Sequence, residues 1–319
     1  MKLIWLGLVT ASLVFADAKE RGRELTQQFY KGELGPLFEQ MGPDLRKLIG
    51  TTEKFSAMRE QARGLLGAET ELATEDVGSQ SGSTSYRRVA KLEKGWTAEI
   101  IWAWDDKLIL GFGIRPAQKE FASRFLDYHT KASMRLPFDG EWLVAWGGRT
   151  LKKNHHAVAP DQRFAYDLVI EKDGKTHAEG NPNENHFCWN QPIYAPAAGK
   201  VVFVKDGVED NAPGKMNPSE AAGNYVVLEI GAEEYALMAH FRNGSVAVKT
   251  DDAVKQGELL GRCGNSGNSS EPHLHFHLQT KPKFGEGEGL PAEFVGFLAG
   301  RKVVARGELR RRQLVRNGE

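Results

Sequence analysis

Pro272-His273-Leu274-His275-Phe276-His277-Leu278 is the stretch on which the reading of this 319-residue chain turns. In a β-strand successive side chains face opposite ways, so His273, His275 and His277 share one face while Leu274, Phe276 and Leu278 share the other. The apolar set is the face a sheet turns to its core. Three imidazoles in a row are a costly way to cover a surface and a natural way to present metal ligands; an exposed, pH-sensitive strand face is the plainer alternative. The preceding turn, Gly264-Asn265-Ser266-Gly267-Asn268-Ser269-Ser270, favours ligands, because it lets the backbone deliver the first histidine beside a cleft.

Composition narrows what such a site can be. Forty-two Lys and Arg against 42 Asp and Glu leave no net charge, which argues against a uniformly basic nucleic-acid binder. Forty per cent apolar and 26% charged residues are ordinary for a globular chain, and the length suggests about two domains. Two cysteines are too few for a thiolate zinc ribbon or a four-cysteine iron–sulfur cluster, so nitrogen and oxygen must hold any metal. Cys188 and Cys263 could form a disulfide or stay as two buried thiols. Neither the HExxH helix of other zinc peptidases nor a G-x-S-x-G nucleophile elbow is present.

Outward from the histidines, Gly264 to Phe276 closely resembles the G-N-[ST]-G-x-S-x-x-P-H-L-H-F signature of the M23 (lysostaphin/LytM-type) zinc endopeptidases, which cut peptides of bacterial cell walls. Pro192-Ile193-Tyr194-Ala195-Pro196 with Gly199 and Val201, Gly223-Asn224-Tyr225-Val226, the Tyr235 to His240 stretch, and Val254 to Gly261 are similar to further elements of that family, in its order. The resemblance implies one Zn2+ per chain, with His275 a ligand and with His273 and His240 in catalytic roles, unliganded beside the water and the substrate carbonyl. The remaining ligands it implies are a histidine and an aspartate near the domain's start, often spaced His-x-x-x-Asp. That spacing is missing before residue 200. Asn154-His155-His156 and the later Ala165-Tyr166-Asp167 offer His156 and Asp167, with His155 the alternative first ligand. Two imidazoles and one carboxylate leave a fourth tetrahedral position open, as catalytic zinc requires. Asn154 and His277 are candidates to support the ligands from behind; His277, where many relatives carry an acidic residue, could equally be a solvated strand residue.

The rest of the chain sorts around this domain. Lys2, an apolar run from Leu3 to Phe15 and small residues at Val14, Ala16 and Ala18 read as a signal peptide over 1–18, an uncleaved anchor being the alternative. Secretion, or release into the periplasm, follows, with no transmembrane anchor after cleavage. Residues 19–117 show helical spacing up to Gly67 and strands from Tyr86 to Ile114, an α+β layout that resembles NTF2-like accessory domains. A connecting helix is expected over 118–134, a mainly antiparallel β peptidase domain over 135–298, and a basic C-terminal tail over 299–319 carrying Arg310-Arg311-Arg312. The expected protein is a monomeric metalloendopeptidase acting on peptidoglycan peptides, cross-bridge or stem, and not on nucleic acid. The rival is a non-hydrolytic regulator of the same fold that acts on cell-wall hydrolases.

Overall fold

Leu25, Phe29, Leu37, Met41 and Phe55 recur at helical spacings, and all five are buried against one another in a computed structural model that describes residues 6–80, 82–231 and 233–318. The first five residues of the expected signal peptide lie outside the described ones. The chain divides into two compact units, residues 1–118 and 119–319. Among the described residues no helix is long and apolar enough to cross a membrane.

In the first unit, helices α1 (Leu6–Lys31), α2 (Leu34–Glu39), α3 (Pro43–Ile49) and α4 (Thr52–Leu66) precede a four-stranded meander. Its strands β1 (Glu69–Gln80), β2 (Ser83–Leu92), β3 (Thr97–Trp104) and β4 (Ile109–Pro116) pair in sequence order. The helices cover one face, where Tyr86, Ile100 and Trp102 are buried and the Trp102 indole donates to Thr26 Oγ1 at 3.1 Å. Strand β1 escaped the sequence because its residues, ETELATEDVGSQ, show no apolar alternation. Charge across the ladder holds it instead: Arg88 binds Glu69, Lys91 binds Glu71, and Arg23 and Lys19 from α1 bind Glu75. A cavity of about 240 Å3 lies among Phe29, Leu66, Leu92 and Ile100. The Arg59 guanidinium on its wall is already bound to Phe29 O, Tyr30 O and Glu60.

The expected helix over 118–134 does not form. Phe121 N donates to Ala157 O, and Lys131 N and Ala132 N donate to the buried Glu234 carboxylate at 2.6 and 2.9 Å. Thr130 bridges Pro291 O and Glu293 N. These long-range partners hold the segment as irregular chain with a turn at 124–127, and belong to the second unit, so tertiary hydrogen bonds outweigh the local helical spacing.

That unit contains β5 (Trp142–Trp146), β6 (Tyr166–Val169), β7 (Pro192–Tyr194), β8 (Gly199–Lys205), β9 (Asn224–Gly231), β10 (Glu234–Phe241), β11 (Ala253–Val254), β12 (Leu259–Arg262), β13 (Leu274–Gln279), β14 (Gly289–Leu290), β15 (Glu293–Ala299), β16 (Lys302–Glu308) and β17 (Leu314–Asn317). Among the described residues eleven of these form one antiparallel sheet, in the order β11-β8-β9-β10-β13-β6-β5-β17-β15-β16 with β14 beside β13, while β7 pairs with β12. Val246 to Lys249 is irregular. The basic tail is also corrected: β17 enters the sheet between β5 and β15, with Leu314 opposite Leu143 and Phe297 opposite Asn317. Arg311 lies 3.8 Å above the Trp146 ring and donates to Ala145 O. Backbone pairing and this stacking hold the basic segment on the sheet.

Candidate metal centre

Strand β13 alternates as its sequence demands. Leu274, Phe276 and Leu278 are fully buried in the core with Tyr166, Met238 and Phe294, worth about 1.5–3 kcal/mol each. The opposite face carries His275, His277 and Gln279, which are buried too. Between β6 and β10, His275 stands directly across from Asp167 on one side and Ala239 on the other. Adjacent antiparallel strands therefore bring together residues more than 100 positions apart.

A local irregularity adds His240. The ladder between β10 and β9 shifts register between Ala239 and Phe241, and His240 there adopts a left-handed backbone with φ 63°. Such a bulge re-aims one side chain. Interlocked loops secure it: the Ser266 hydroxyl accepts from Asn224 N and donates to Phe241 O, both near 2.8–2.9 Å. Gly223, at φ 61°, lies so close that a Cβ there would meet the Ser266 carbonyl at 2.5 Å. This is the physical reason the Gly223-Asn224 and Gly264-Asn265-Ser266-Gly267 elements occur together.

Four polar groups crowd Asp167, itself buried. Its Oδ1 lies 3.0 Å from His275 Nδ1 and 3.6 Å from His273 Nε2; its Oδ2 lies 3.5 Å from His156 Nε2 and 4.0 Å from His155 Nε2. Burial pushes this carboxyl up, but His156, then His273 and His275, outweigh it and hold the group well below the carboxylate range. Burial is the first cause that lowers His156, His240 and His155, and it takes His277 down to about 3.

Each imidazole's far nitrogen is committed. Asn154 caps the turn His155–Val158: its Oδ1 accepts from His156 N and His156 Nδ1, while its Nδ2 donates to Gly148 O and Ala165 O. His156 Nε2 is thus left bare towards Asp167. His273 Nδ1 donates to Glu271 O at 2.8 Å, beside Ser269 Oγ at 3.1 Å, and His240 Nδ1 donates to Ser266 O at 2.8 Å. Both leave Nε2 free. Behind His275, His277 Nδ1 lies 2.9 Å from His275 Nε2, and His277 Nε2 lies 2.8 Å from Gln279 Oε1. Gln279 carried no sequence signal beyond its strand parity with His277.

The donors suit zinc. Bonds of about 2.0–2.1 Å in a tetrahedron place ligand atoms about 3.3 Å apart, and the two spacings to Asp167 are 3.0 and 3.5 Å. His155, His156 and Asp167 also lie within 4.8 Å of one another, but the His155 side chain is 52% exposed against 11% for His156, and stacks on the latter. An open cleft of about 480 Å3 meets these groups, walled by Trp146, Met216, Glu271 and Phe284. Met216 belongs to the long 206–222 loop, which is tied to the 264–270 loop through Asn211 N, Gly214 N and Asn217 N. Cys188 and Cys263 stand as neighbouring free thiols rather than a disulfide, and Cys188 Sγ donates to Pro272 O at 2.9 Å. That donation turns Cys188 towards the residue before His273.

An antiparallel β domain with an open two-histidine, one-aspartate cluster and two further histidines has the donors to hold a metal ion. The profile of peptidase family M23 matches residues 187–285, and the chain belongs to that family. It is 32% identical over 93 residues to the lipoprotein NlpD of Yersinia enterocolitica, covering 29% of this chain and 81% of that one. It is 26% identical over 150 residues to the peptidoglycan DD-endopeptidase ShyA of Vibrio cholerae, covering 46% and 27%. The chain spans about a quarter of the length of the curated relatives it first matches. Lysostaphin of Staphylococcus simulans gives 20% identity and a TM-score of 0.30 over 50% of this chain and 51% of that one.

Proposed function

We propose that the protein is a zinc-dependent endopeptidase that hydrolyses peptide bonds of peptidoglycan in the cell envelope. The observation behind this reading is the row Asp167–His275–Ala239 across three adjacent strands, which gathers His156, His240 and His273 around one carboxylate. His156 Nε2, Asp167 and His275 Nδ1 are the ligands of this reading, His156 taking precedence over the more exposed His155. Bound there, zinc would supply a Lewis acid for the scissile carbonyl and lower the pKa of a water towards about 7.

The chain's own groups do the rest. His240 and His273 sit with ring centres 4.7 Å apart, each anchored through Nδ1 and each offering a bare Nε2 to the cleft. One accepts the proton of the attacking water at Nε2 and passes it to the leaving amine; the other, when an imidazolium with a second hydrogen on Nε2, donates to the carbonyl oxygen as charge develops. Burial keeps His240 neutral near pH 7 and so fit to accept a proton. Trp146 and Phe284 provide apolar walls for an extended peptide.

Purified protein incubated with peptidoglycan should release peptide fragments with new termini, identifiable by mass, and a chelator should stop the release. Zinc well below one per chain together with no new termini would favour the regulator. Either His240→Ala or His273→Ala should retain zinc and lose about 10^2–10^4-fold in rate.

A further inference from the structure

Gln279 is fully buried at the end of β13, with its amide nitrogen and its amide oxygen both engaged. Its Nε2 donates to Lys281 O at 2.7 Å and to Lys283 O at 3.2 Å. Both are carbonyls, which only accept, so the amide has one orientation: reversed, it would set an oxygen against two oxygens. Oε1 therefore faces His277 Nε2, and at 2.8 Å that nitrogen must carry the hydrogen. A neutral imidazole has one N–H. His277 Nδ1 is then an acceptor, and the 2.9 Å contact is a donation from His275 Nε2–H. What remains on His275 is a bare Nδ1, 3.0 Å from Asp167 Oδ1. Two lone pairs at that distance repel unless a cation lies between them.

We propose that Gln279 is a positioning residue for the metal centre: held by the Lys281 and Lys283 carbonyls, it fixes through His277 which nitrogen His275 presents to the metal. The inference rests on the zinc reading of the site, and extends it to a loop the ligands do not touch. Residues 280–288 connect β13 to β14, and Phe284 among them stands on the cleft wall, 6.3 Å from the His277 ring. Gly285 N donates to Asp161 Oδ2, six residues before Asp167. The backbone that shapes this wall is the same backbone that orients the Gln279 amide, so metal affinity and the wall's conformation are coupled. His156 has the shorter version of the device, with Asn154 clamped by two carbonyls and acting directly.

Nitrogen-15 NMR of the full chain, histidine-labelled and metal-free near pH 7.5, reads the arrangement directly. His277 should carry its hydrogen on Nε2, and His275 should keep a hydrogen on its Nε2 whether or not Nδ1 also takes one beside Asp167; a His277 hydrogen on Nδ1 overturns the proposal. Zinc affinity, by competition with a chelating dye, tests the coupling. Gln279→Leu should weaken zinc about 10–100-fold. In a His277→Glu background a carboxylate accepts from His275 Nε2–H without help, so adding Gln279→Leu should change the zinc Kd by less than about twofold. An equal loss in both backgrounds would make Gln279 a loop anchor only and overturn the proposal, as would a wild-type chain that binds no zinc. Stoichiometric zinc with no peptidoglycan cleavage sinks the hydrolase reading and leaves this one standing.

Discussion

Asp167 shows how a charge can be buried without being neutralised. Its surroundings are histidines whose far nitrogens are tied to Asn154, Glu271 and His277, so the near nitrogens have little choice but to face it. His156→Ala should abolish stoichiometric zinc binding, whereas His155→Ala should lower affinity no more than severalfold; zinc content after dialysis separates them. The buried histidines also set an acid limit. His156, His240 and His277 have lowered pKa values when folded, so below the unfolded value of about 6.5 the unfolded chain binds more protons. Stability of the metal-free protein should be level above pH 6.5 and fall below it, each such group contributing up to about 1.4 kcal/mol per pH unit down to its folded value, about 3 for His277. A melting temperature that rose between pH 6.5 and 5 would contradict this. At this scale the sequence was most informative: His240, His273, His275 and Asp167 meet, and exposure and distance favour the His156 that it preferred over His155. Gln279 was invisible because its role depends on two backbone carbonyls.

Elements were legible where alternation was strong and hidden where partners decided. Strand β13 follows from Leu274, Phe276 and Leu278, all fully buried, and the bulge at His240 has no such signature. Helical spacing over 118–134 misled because hydrogen bonds to Glu234, Pro291 and Ala157 hold that chain in an irregular path. Strand β1 was missed because ion pairs, not apolar residues, fasten it. The contact between the 223–224 turn and the 264–270 loop invites a direct test. Gly223→Ala would place a methyl group 2.5 Å from Ser266 in a left-handed backbone, so we expect a loss of about 1–3 kcal/mol in urea unfolding. Peptidoglycan cleavage should fall with it, since the Ser266 carbonyl also accepts from His240; unchanged stability would remove the close-approach account.

Across the whole molecule, two units with separate cores should melt separately. Calorimetry of the metal-free protein should show two transitions. Zinc at 1,000 times its Kd should stabilise the unit that contains residues 119–319 by about 4 kcal/mol and leave the other unmoved. A single transition, or two that both shift, would refute independent cores. The sheet's strand order carries one more consequence. Strand β17, the furthest along the chain of the described strands, lies inside the sheet next to β5, which flanks the Asp167 strand. A growing polypeptide cannot complete that sheet until residue 317 has been synthesised and has left the ribosome. Translation itself thus acts as a timer, and a chain interrupted upstream of Leu314 leaves β5 as an open strand edge, one strand away from Asp167.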